Sequence, residues 1–383
     1  MAFCVLGSGF VFRVRQLSYN RFVPSSIRRD IGQLLIGSLP ATTIPAELRA
    51  LAREFQLGGI ILFGRNIEVP EQIAEFSHDL QSLAVELPLW VSVDQEGGRV
   101  ARLRAPFTEW PPMAVLGRSN DVSLASRFAA ALASELYAVG ITLDYAPVLD
   151  IHTNPKNPVI GDRALAEDAL LVGKLGAAII RGLQENGVAA CGKHFPGHGD
   201  TSVDSHVALP IVEHPPDRIR RVECVPFREA IKADVAFIMT AHVLVPSFDE
   251  EKPATLSRRI VFDVLRDELA FDGVILSDDL EMKAIAATYT IPDAAVHAIA
   301  AGCDGVLICS GDVETQATTL EALVHAVEED RIPFKRLADA LARHRRVKER
   351  FLAAPVAAGQ PFRGDLVGCD AHRRIADEMA SYL

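Results

Sequence analysis

The feature that most constrains the fold is a regular alternation of short apolar runs with longer helical segments. Eight apolar runs predict strands, and most are continuous, as expected of parallel strands that are covered on both faces. Helical patterns lie between them, as in 123–139, 165–186 and 257–270. This alternation is typical of an α/β protein whose parallel sheet is either open and doubly wound or closed into a barrel. The eight predicted strands are 33–39, 59–63, 89–94, 141–146, 188–193, 235–240, 273–278 and 305–310.

Eight strands with intervening helices match a closed barrel, so we expect a single-domain TIM-type (β/α)8 fold over residues 29–353. The chain has 383 residues, which is long for one domain but within the range of such barrels. We expect residues 1–28 to form a poorly structured extension, and 354–383 to form a linker followed by a helix. The extension has its apolar run before its arginines, unlike a secretory signal, so we expect a cytoplasmic protein, with export as the alternative.

Charge and composition narrow the class of partner. The net charge of −11 and the pI near 5.5 argue against nucleic-acid binding, because no basic stripe offsets the acidic background. No run approaches the roughly 18–20 apolar residues of a membrane span. The six cysteines lack a regular spacing, which favours buried, reduced thiols over a disulfide framework.

A polar cluster directly follows the fifth predicted strand. Residues 193–206 read KHFPGHGDTSVDSH and hold three histidines, two aspartates and a lysine. Glycine and proline within this stretch indicate a loop rather than a helix. Loops at strand ends are where a rigid scaffold holds reactive groups, so the sequence predicts a functional site here.

Asp204 and His206 lie two residues apart, which in an extended segment places both side chains on the same side. A carboxylate on one imidazole nitrogen sets the tautomer and raises the basicity of the other, giving a proton shuttle near neutral pH. The alternatives are a structural hydrogen-bonded loop and a zinc site. The chain has neither a Cys pair nor a His-Glu-x-x-His motif, so we expect no metal. Zinc would have to use His194, His198, Asp200 or His206.

Other polar residues also stand at predicted strand ends. Asp94 ends the third strand, Lys193 and His194 end the fifth, His242 follows the sixth, and Asp278 ends the seventh. Active sites of barrels form at the carboxyl ends of the strands, so these side chains should converge on one mouth. Charged groups that converge from several loops suit a polyhydroxylated ligand.

Two further stretches add arginines to the same rim. The run DQEGGRVAR (94–102) leaves the third strand through a Gly-Gly turn and carries Arg99 and Arg102. The run NPVIGDR (157–163) follows the fourth strand and ends in Arg163. Each arginine could bind sugar hydroxyls or pair with a nearby carboxylate.

The motifs DQEGGRVAR, NPVIGDR, KHFPGHGDTSVDSH and ILSDDLEM occur in this order and together resemble the family 3 glycoside hydrolases. More narrowly, they resemble the bacterial β-N-acetylhexosaminidase branch, which hydrolyses N-acetylglucosamine residues in peptidoglycan recycling. The resemblance covers roughly residues 30–350. It implies an exo-acting, retaining β-N-acetylglucosaminidase that takes a small glycan, such as a peptidoglycan fragment, and needs no cofactor.

The resemblance also implies residue roles. Asp278 would be the catalytic nucleophile, His206 the general acid/base and Asp204 its partner. Glucosidases of the wider family usually place their acid/base elsewhere and lack the Asp-Ser-His run. The residues implied to bind the terminal sugar are Asp94, Arg102, Arg163, Lys193 and His194.

Asp279 is expected to support the site rather than to catalyse. Retaining glycosidases typically use two carboxyl groups about 5–5.5 Å apart, but adjacent residues of a strand point to opposite sides. We therefore expect Asp279 to cap a helix that begins near Glu281.

Several readings stay open at this point. A broader β-glycosidase or an N-acetylglucosaminide phosphorylase could use the same groups. A non-catalytic sugar-binding protein is the alternative from a different class. Within the hydrolase reading, the substrate could be a muropeptide fragment, a chitin oligomer or a glycoconjugate.

Overall fold

The eight predicted strands form a ring in the computed structural model, which describes residues 25–353 and 362–383. Each strand pairs in parallel with its neighbours, and the first pairs with the last, so the sheet is closed. The (β/α)8 barrel is therefore confirmed and the open sheet is excluded. The barrel strands are β1 (Leu35–Gly37), β2 (Gly59–Leu62), β3 (Trp90–Val93), β6 (Leu143–Asp144), β7 (Ala189–Phe195), β8 (Phe237–Thr240), β9 (Val274–Asp279) and β10 (Gly305–Leu307).

A small antiparallel hairpin follows β3. It consists of β4 (Gln95–Gly97) and β5 (Val100–Ala101), joined by a turn at Gly97 and Gly98. Both glycines have positive φ, +109° and +56°, which glycine adopts at little steric cost. The hairpin continues directly from β3, so residues 94–102 stay at the carboxyl end of the barrel.

Helices cover the outside of the barrel. Asp121 and Asp168 cap the helices Val122–Ala138 and Ala169–Glu185, which pack on each other. Each carboxylate accepts backbone N–H groups at the start of its helix. In the described part of the chain the α-helices are α1 (Ser25–Gly32), α2 (Ala46–Phe55), α3 (Pro70–Gln81), α4 (Ala114–Ser119), α5 (Val122–Ala138), α6 (Ala169–Glu185), α7 (Pro216–Arg221), α8 (Cys224–Lys232), α9 (Lys283–Ala286), α10 (Ile291–Ala301), α11 (Val313–Glu328), α12 (Phe334–Leu352) and α13 (Asp370–Ala380).

Two of the predicted helical segments differ in detail. Segment 165–186 becomes helical at Ala169, directly after the Asp168 cap. Segment 257–270 contains a π-helix, Arg259–Glu268. The apolar spacing predicted a helix there but did not distinguish a π-helix from an α-helix.

The barrel interior is filled by large apolar side chains and is closed at its amino end. Trp90 packs edge-on against Phe237, with ring centroids 5.3 Å apart, and Phe351 of α12 lies 6.3 Å from Trp90. These residues belong to a buried cluster with Leu276 and Tyr145. This cluster lies at the amino ends of the strands, opposite the polar strand ends.

The C-terminal helix docks on the barrel. Glu135 of α5 is buried and accepts hydrogen bonds from Thr108, Gly368 and the His372 ring of α13, the last at 2.8 Å. Most of the predicted linker, 354–361, lies outside the described residues. So does 1–24 of the predicted extension 1–28, whereas its last residues, 25–28, belong to α1. None of the described helices combines the length and apolar character needed to cross a membrane.

Candidate active site

The polar strand ends do converge at the carboxyl end of the barrel. Asp94 directly follows β3, Lys193 and His194 lie within the last residues of β7, and Asp278 lies near the end of β9. The ammonium of Lys193 donates to Oδ1 of Asp94 at 2.8 Å, which joins β7 to the loop after β3. The predicted grouping of these residues at one mouth is therefore present in the structure.

Glu96 is the centre of this charged network. Its Oε1 lies 2.6 Å from Nζ of Lys193, and its two oxygens accept a bidentate pair from Arg163 at 2.8 and 2.9 Å. Arg102 completes the network by contacting Oδ2 of Asp94 at 3.3 Å. Four of the five predicted sugar-binding residues are thus held together, although the sequence did not identify Glu96 as the residue that joins them.

Glu96 is a buried anion rather than a proton donor. Its side chain is 1% exposed. Burial alone would raise its pKa, but Lys193 and Arg163 together lower the pKa below its usual value. Glu96 therefore stays ionised at neutral pH and keeps the two cations oriented. The signal available in the sequence was its position two residues after Asp94, on the same side of the strand.

His194 is oriented by a residue that the sequence analysis missed. Asp150 is fully buried in the loop after β6, and its Oδ2 lies 2.6 Å from Nδ1 of His194. Asp150 also accepts the backbone N–H of His198 at 2.6 Å. Burial would raise the pKa of Asp150, but its histidine neighbours lower the pKa. Because the carboxylate bonds to Nδ1 of His194, the Nε2 atom of that ring points away from Asp150. An isolated acid in the apolar run 148–151 was the available signal.

The predicted dyad is formed. Oδ1 of Asp204 lies 2.9 Å from Nδ1 of His206 and accepts the backbone N–H of the same residue at 2.8 Å. Burial would raise the pKa of Asp204, but the hydrogen bonds from His206 lower it. The imidazole is 67% exposed, so its Nε2 is free to meet a ligand. The arrangement suits proton transfer at Nε2.

The neighbouring carboxyl groups of Asp278 and Asp279 have pKa shifts in opposite directions. Burial would raise the pKa of Asp278, but His194, His242 and the N–H of Asp279 lower it. Burial raises the pKa of Asp279 to about 7. The prediction that Asp279 caps a helix near Glu281 is wrong: α9 begins at Lys283, and Asp279 instead accepts the N–H of Glu281 at 3.1 Å, which stabilises the preceding turn.

His242 follows β8, as predicted, but its ring is enclosed. Its Nε2 donates to the carbonyl oxygen of Asp279 at 2.9 Å, and its Nδ1 lies 2.8 Å from the hydroxyl of Thr255. Burial lowers the pKa of His242, which keeps the ring neutral. His242 therefore supports the backbone beside Asp278.

Two of the three histidines in the 193–206 loop lie together: the rings of His194 and His198 are 6.0 Å apart and both residues bond to Asp150, whereas His206 pairs with Asp204. Arg99, the remaining arginine predicted at the rim, pairs with Asp162.

Within residues 25–353 and 362–383, no group of His, Cys, Asp and Glu could hold a metal ion. The predictions that the chain needs neither a metal nor a cofactor stay predictions. The four residues named above as possible zinc ligands instead have side-chain partners within the protein: Asp150 for His194, Ser205 and Thr201 for His198, His214 for Asp200, and Asp204 for His206.

Comparison with known proteins identifies the family. Residues 26–347 match the family described as glycosyl hydrolase family 3 N-terminal domain. The chain is 35% identical over 365 residues to β-hexosaminidase A of Pseudoalteromonas piscicida, covering 88% of this chain and 60% of that protein. The chain therefore spans about three-fifths of the length of that relative.

Two solved structures share the fold. A family 3 β-N-acetylglucosaminidase from Paenibacillus sp. superposes with a TM-score of 0.89 at 42% identity, covering 93% of this chain and 68% of that one. NagZ from Neisseria gonorrhoeae, solved with N-trifluoroacetyl-D-glucosamine, gives 0.74 at 31% identity, covering 91% of this chain and 97% of that one. The family match over most of the barrel places the chain among the glycoside hydrolases. The chain belongs to glycosyl hydrolase family 3, as its motifs predicted.

Proposed function

We propose that the protein is an exo-acting, retaining β-N-acetylglucosaminidase that releases terminal N-acetylglucosamine from small glycans. The proposal rests on two features of the carboxyl end of the barrel: Asp278 near the end of β9, and an exposed His206 hydrogen-bonded to Asp204 in the loop after β7. One carboxylate can attack the anomeric carbon and one imidazole can move the proton, so both roles of the retaining mechanism have a residue. The names of the similar proteins support the choice of sugar.

In the first step the Asp278 carboxylate attacks the anomeric carbon, and the bond to the leaving oxygen breaks. His206, protonated, gives its Nε2 proton to that oxygen, and the sugar becomes an ester of Asp278. Asp204 stabilises the imidazolium before the transfer and holds the ring through Nδ1. The lowered pKa of Asp278 keeps the nucleophile ionised.

In the second step the proton moves in the opposite direction. Neutral His206 takes a proton from water, the water oxygen attacks the anomeric carbon, and Asp278 leaves as a carboxylate. Two displacements at the same carbon return the original β-configuration. Asp204 again stabilises the imidazolium that forms.

The proposed sugar-binding group is Asp94, Arg102, Arg163, Lys193 and His194, in which some side chains contact the sugar and others orient the contacting ones. Among the first four, Arg102 and Asp94 are the most exposed, at 30% and 19% of their side chains, so they offer the hydrogen-bonding atoms. Arg163 and Lys193 are 11% and 3% exposed and already contact Glu96. We assign them to orienting the carboxylates and to the positive field at the mouth.

Peptidoglycan fragments in the cytoplasm are the proposed natural setting. The support is the family branch that the motifs resemble. Release of N-acetylglucosamine from purified muropeptides, in preference to chitin oligomers and glycoconjugates, is the expected result. Equal or better turnover of chitin oligomers would contradict the choice of substrate.

A direct assay separates the proposed activity from its alternatives. The enzyme is given a chromogenic β-N-acetylglucosaminide or the matching β-glucoside, with inorganic phosphate present or absent. We expect the N-acetylglucosaminide to be preferred, and free sugar to be released at a rate independent of phosphate. A sugar 1-phosphate product would identify a phosphorylase, preference for the glucoside a broader β-glycosidase, and binding without turnover a sugar-binding protein.

A further inference from the structure

The loop that carries the dyad has one buried residue between two more accessible ones. Ser205 is 2% exposed, whereas its neighbours Asp204 and His206 have side chains that are 34% and 67% exposed. The hydrogen bonds of the dyad are internal to the loop. They hold the ring against the carboxylate but do not attach either residue to the barrel.

Ser205 makes the attachment. Its hydroxyl lies 3.1 Å from Nε2 of His198, at the base of the loop. Its carbonyl oxygen accepts the backbone N–H of Ala284 at 3.1 Å, on the helix that follows β9. Ser205 is therefore held from two sides, and the helix that supplies the second contact, α9, follows the strand that carries Asp278.

The network around His198 sets the direction of the Ser205 hydrogen bond. The hydroxyl of Thr201 donates its proton to the carbonyl oxygen of His198 at 3.1 Å, so the Thr201 hydroxyl oxygen accepts from Nδ1 of the His198 ring at 2.8 Å. Asn157 also donates to the Thr201 hydroxyl, at 3.2 Å. With the proton on Nδ1, the Nε2 of His198 accepts from Ser205. Burial lowers the pKa of His198 and keeps the ring neutral, as this arrangement requires.

We propose that His198 and Ser205 are positioning residues that seat the catalytic loop, so that His206 meets the glycosidic oxygen. Neither residue touches the substrate; both act through His206. The inference rests on the proposed function, because it assigns His206 as the acid/base. It predicts that variants of these residues lose activity only when the leaving group needs a proton, since sugar binding and the Asp278 carboxylate are unaffected.

The test compares Ser205→Ala with Ser202→Ala, a matched change at an exposed residue of the same loop. Each variant is assayed for kcat/KM on N,N′-diacetylchitobiose and on a dinitrophenyl β-N-acetylglucosaminide, whose phenol leaves without a proton. General acid catalysis contributes about 10²–10⁴-fold, and we expect Ser205→Ala to lose about tenfold on the disaccharide and less than about threefold on the aryl substrate. Ser202→Ala should resemble the wild type on both.

A second comparison tests whether Ser205 acts through His206. Introducing Ser205→Ala into a His206→Ala background should cause no further loss on the disaccharide, because the group that it positions is gone. His198→Gln, which keeps a hydrogen-bonding side chain, should be less impaired than His198→Leu. The inhibition constant of free N-acetylglucosamine should be unchanged in each variant.

The outcomes separate this inference from the proposed function. If the wild type does not hydrolyse the N-acetylglucosaminides, the proposed function is wrong. If the wild type is active and His206→Ala shows the leaving-group dependence, but Ser205→Ala loses equally on both substrates or loses nothing, the positioning role is overturned. Additive losses in the double variant would overturn it as well.

Discussion

Replacement of Glu96 by glutamine tests the charged network most sharply, because the change keeps the shape and removes the charge. The carboxylate is 1% exposed and contacts Lys193 at 2.6 Å and Arg163 at 2.8 Å. Removing one partner of a buried ion pair costs about 3–5 kcal/mol. With an unfolding entropy of about 2.1 cal/mol/K per residue, this corresponds to a fall in Tm of about 4–6 °C for a chain of this size.

The stability difference has a definite dependence on pH. The pKa of Glu96 is lowered in the folded state, so its contribution is complete above the unfolded value and is lost as the pH falls. The difference in Tm between wild type and Glu96→Gln should be constant from about pH 8 to 5 and should shrink below about pH 4.5. Thermal unfolding monitored by circular dichroism measures it, and Glu250→Gln, at an exposed position, is the matched control.

Kinetics of the same variant distinguish an orienting role from proton transfer. Glu96→Gln should lower kcat/KM by a similar factor on the disaccharide and on the dinitrophenyl glycoside, since both place the same sugar in the mouth. An unchanged Tm would refute the energetic argument. A loss restricted to the disaccharide would make Glu96 the proton donor and refute its description as a permanent anion.

Two further outcomes are expected. In His206→Ala, kcat/KM should fall far more on the disaccharide than on the aryl glycoside, and added azide should yield a β-glycosyl azide. Asp204→Ala should show a smaller fall, because the imidazole remains. Equal falls on both substrates, with no azide product, would place the proton shuttle elsewhere. Lys348, buried at the amino end of the barrel, has its pKa lowered by burial to about 7, so the unfolded chain binds more protons between pH 7 and 10. Denaturant titrations should therefore show that the free energy of unfolding of the wild type rises relative to that of Lys348→Met from pH 7 to 10, by about 1.4 kcal/mol per pH unit at most. A difference that does not change with pH would contradict this pKa.

The barrel could be predicted from the sequence because its signal is local. Each parallel strand is covered on both faces, so the eight apolar runs stood out without knowledge of their partners. The dyad was predictable for the same reason, since Asp204 and His206 lie two residues apart in one loop. The strand ends that carry Asp94, Lys193 and Asp278 followed from the barrel itself.

What the sequence did not show depends on contacts between distant residues. Glu96 meets Arg163 across 67 positions, and Asp150 meets His194 across 44. Burial of a charge becomes evident only once its partners are in place. The start of α9 was misplaced because Asp279 bonds to a turn that precedes the helix, and a short polar side chain favours both arrangements.

The central claim, that Asp278 forms a covalent bond with the sugar, has a direct measurement. The enzyme is incubated with a slow N-acetylglucosaminide substrate whose sugar ring is fluorinated. It is then digested with a protease, and the masses of the peptides are measured by mass spectrometry. The account predicts one added sugar on the peptide that contains Asp278, no adduct in Asp278→Asn although sugar binding persists, and an undiminished adduct in Asp279→Asn. A label on another residue, or full activity of Asp278→Asn, would contradict it.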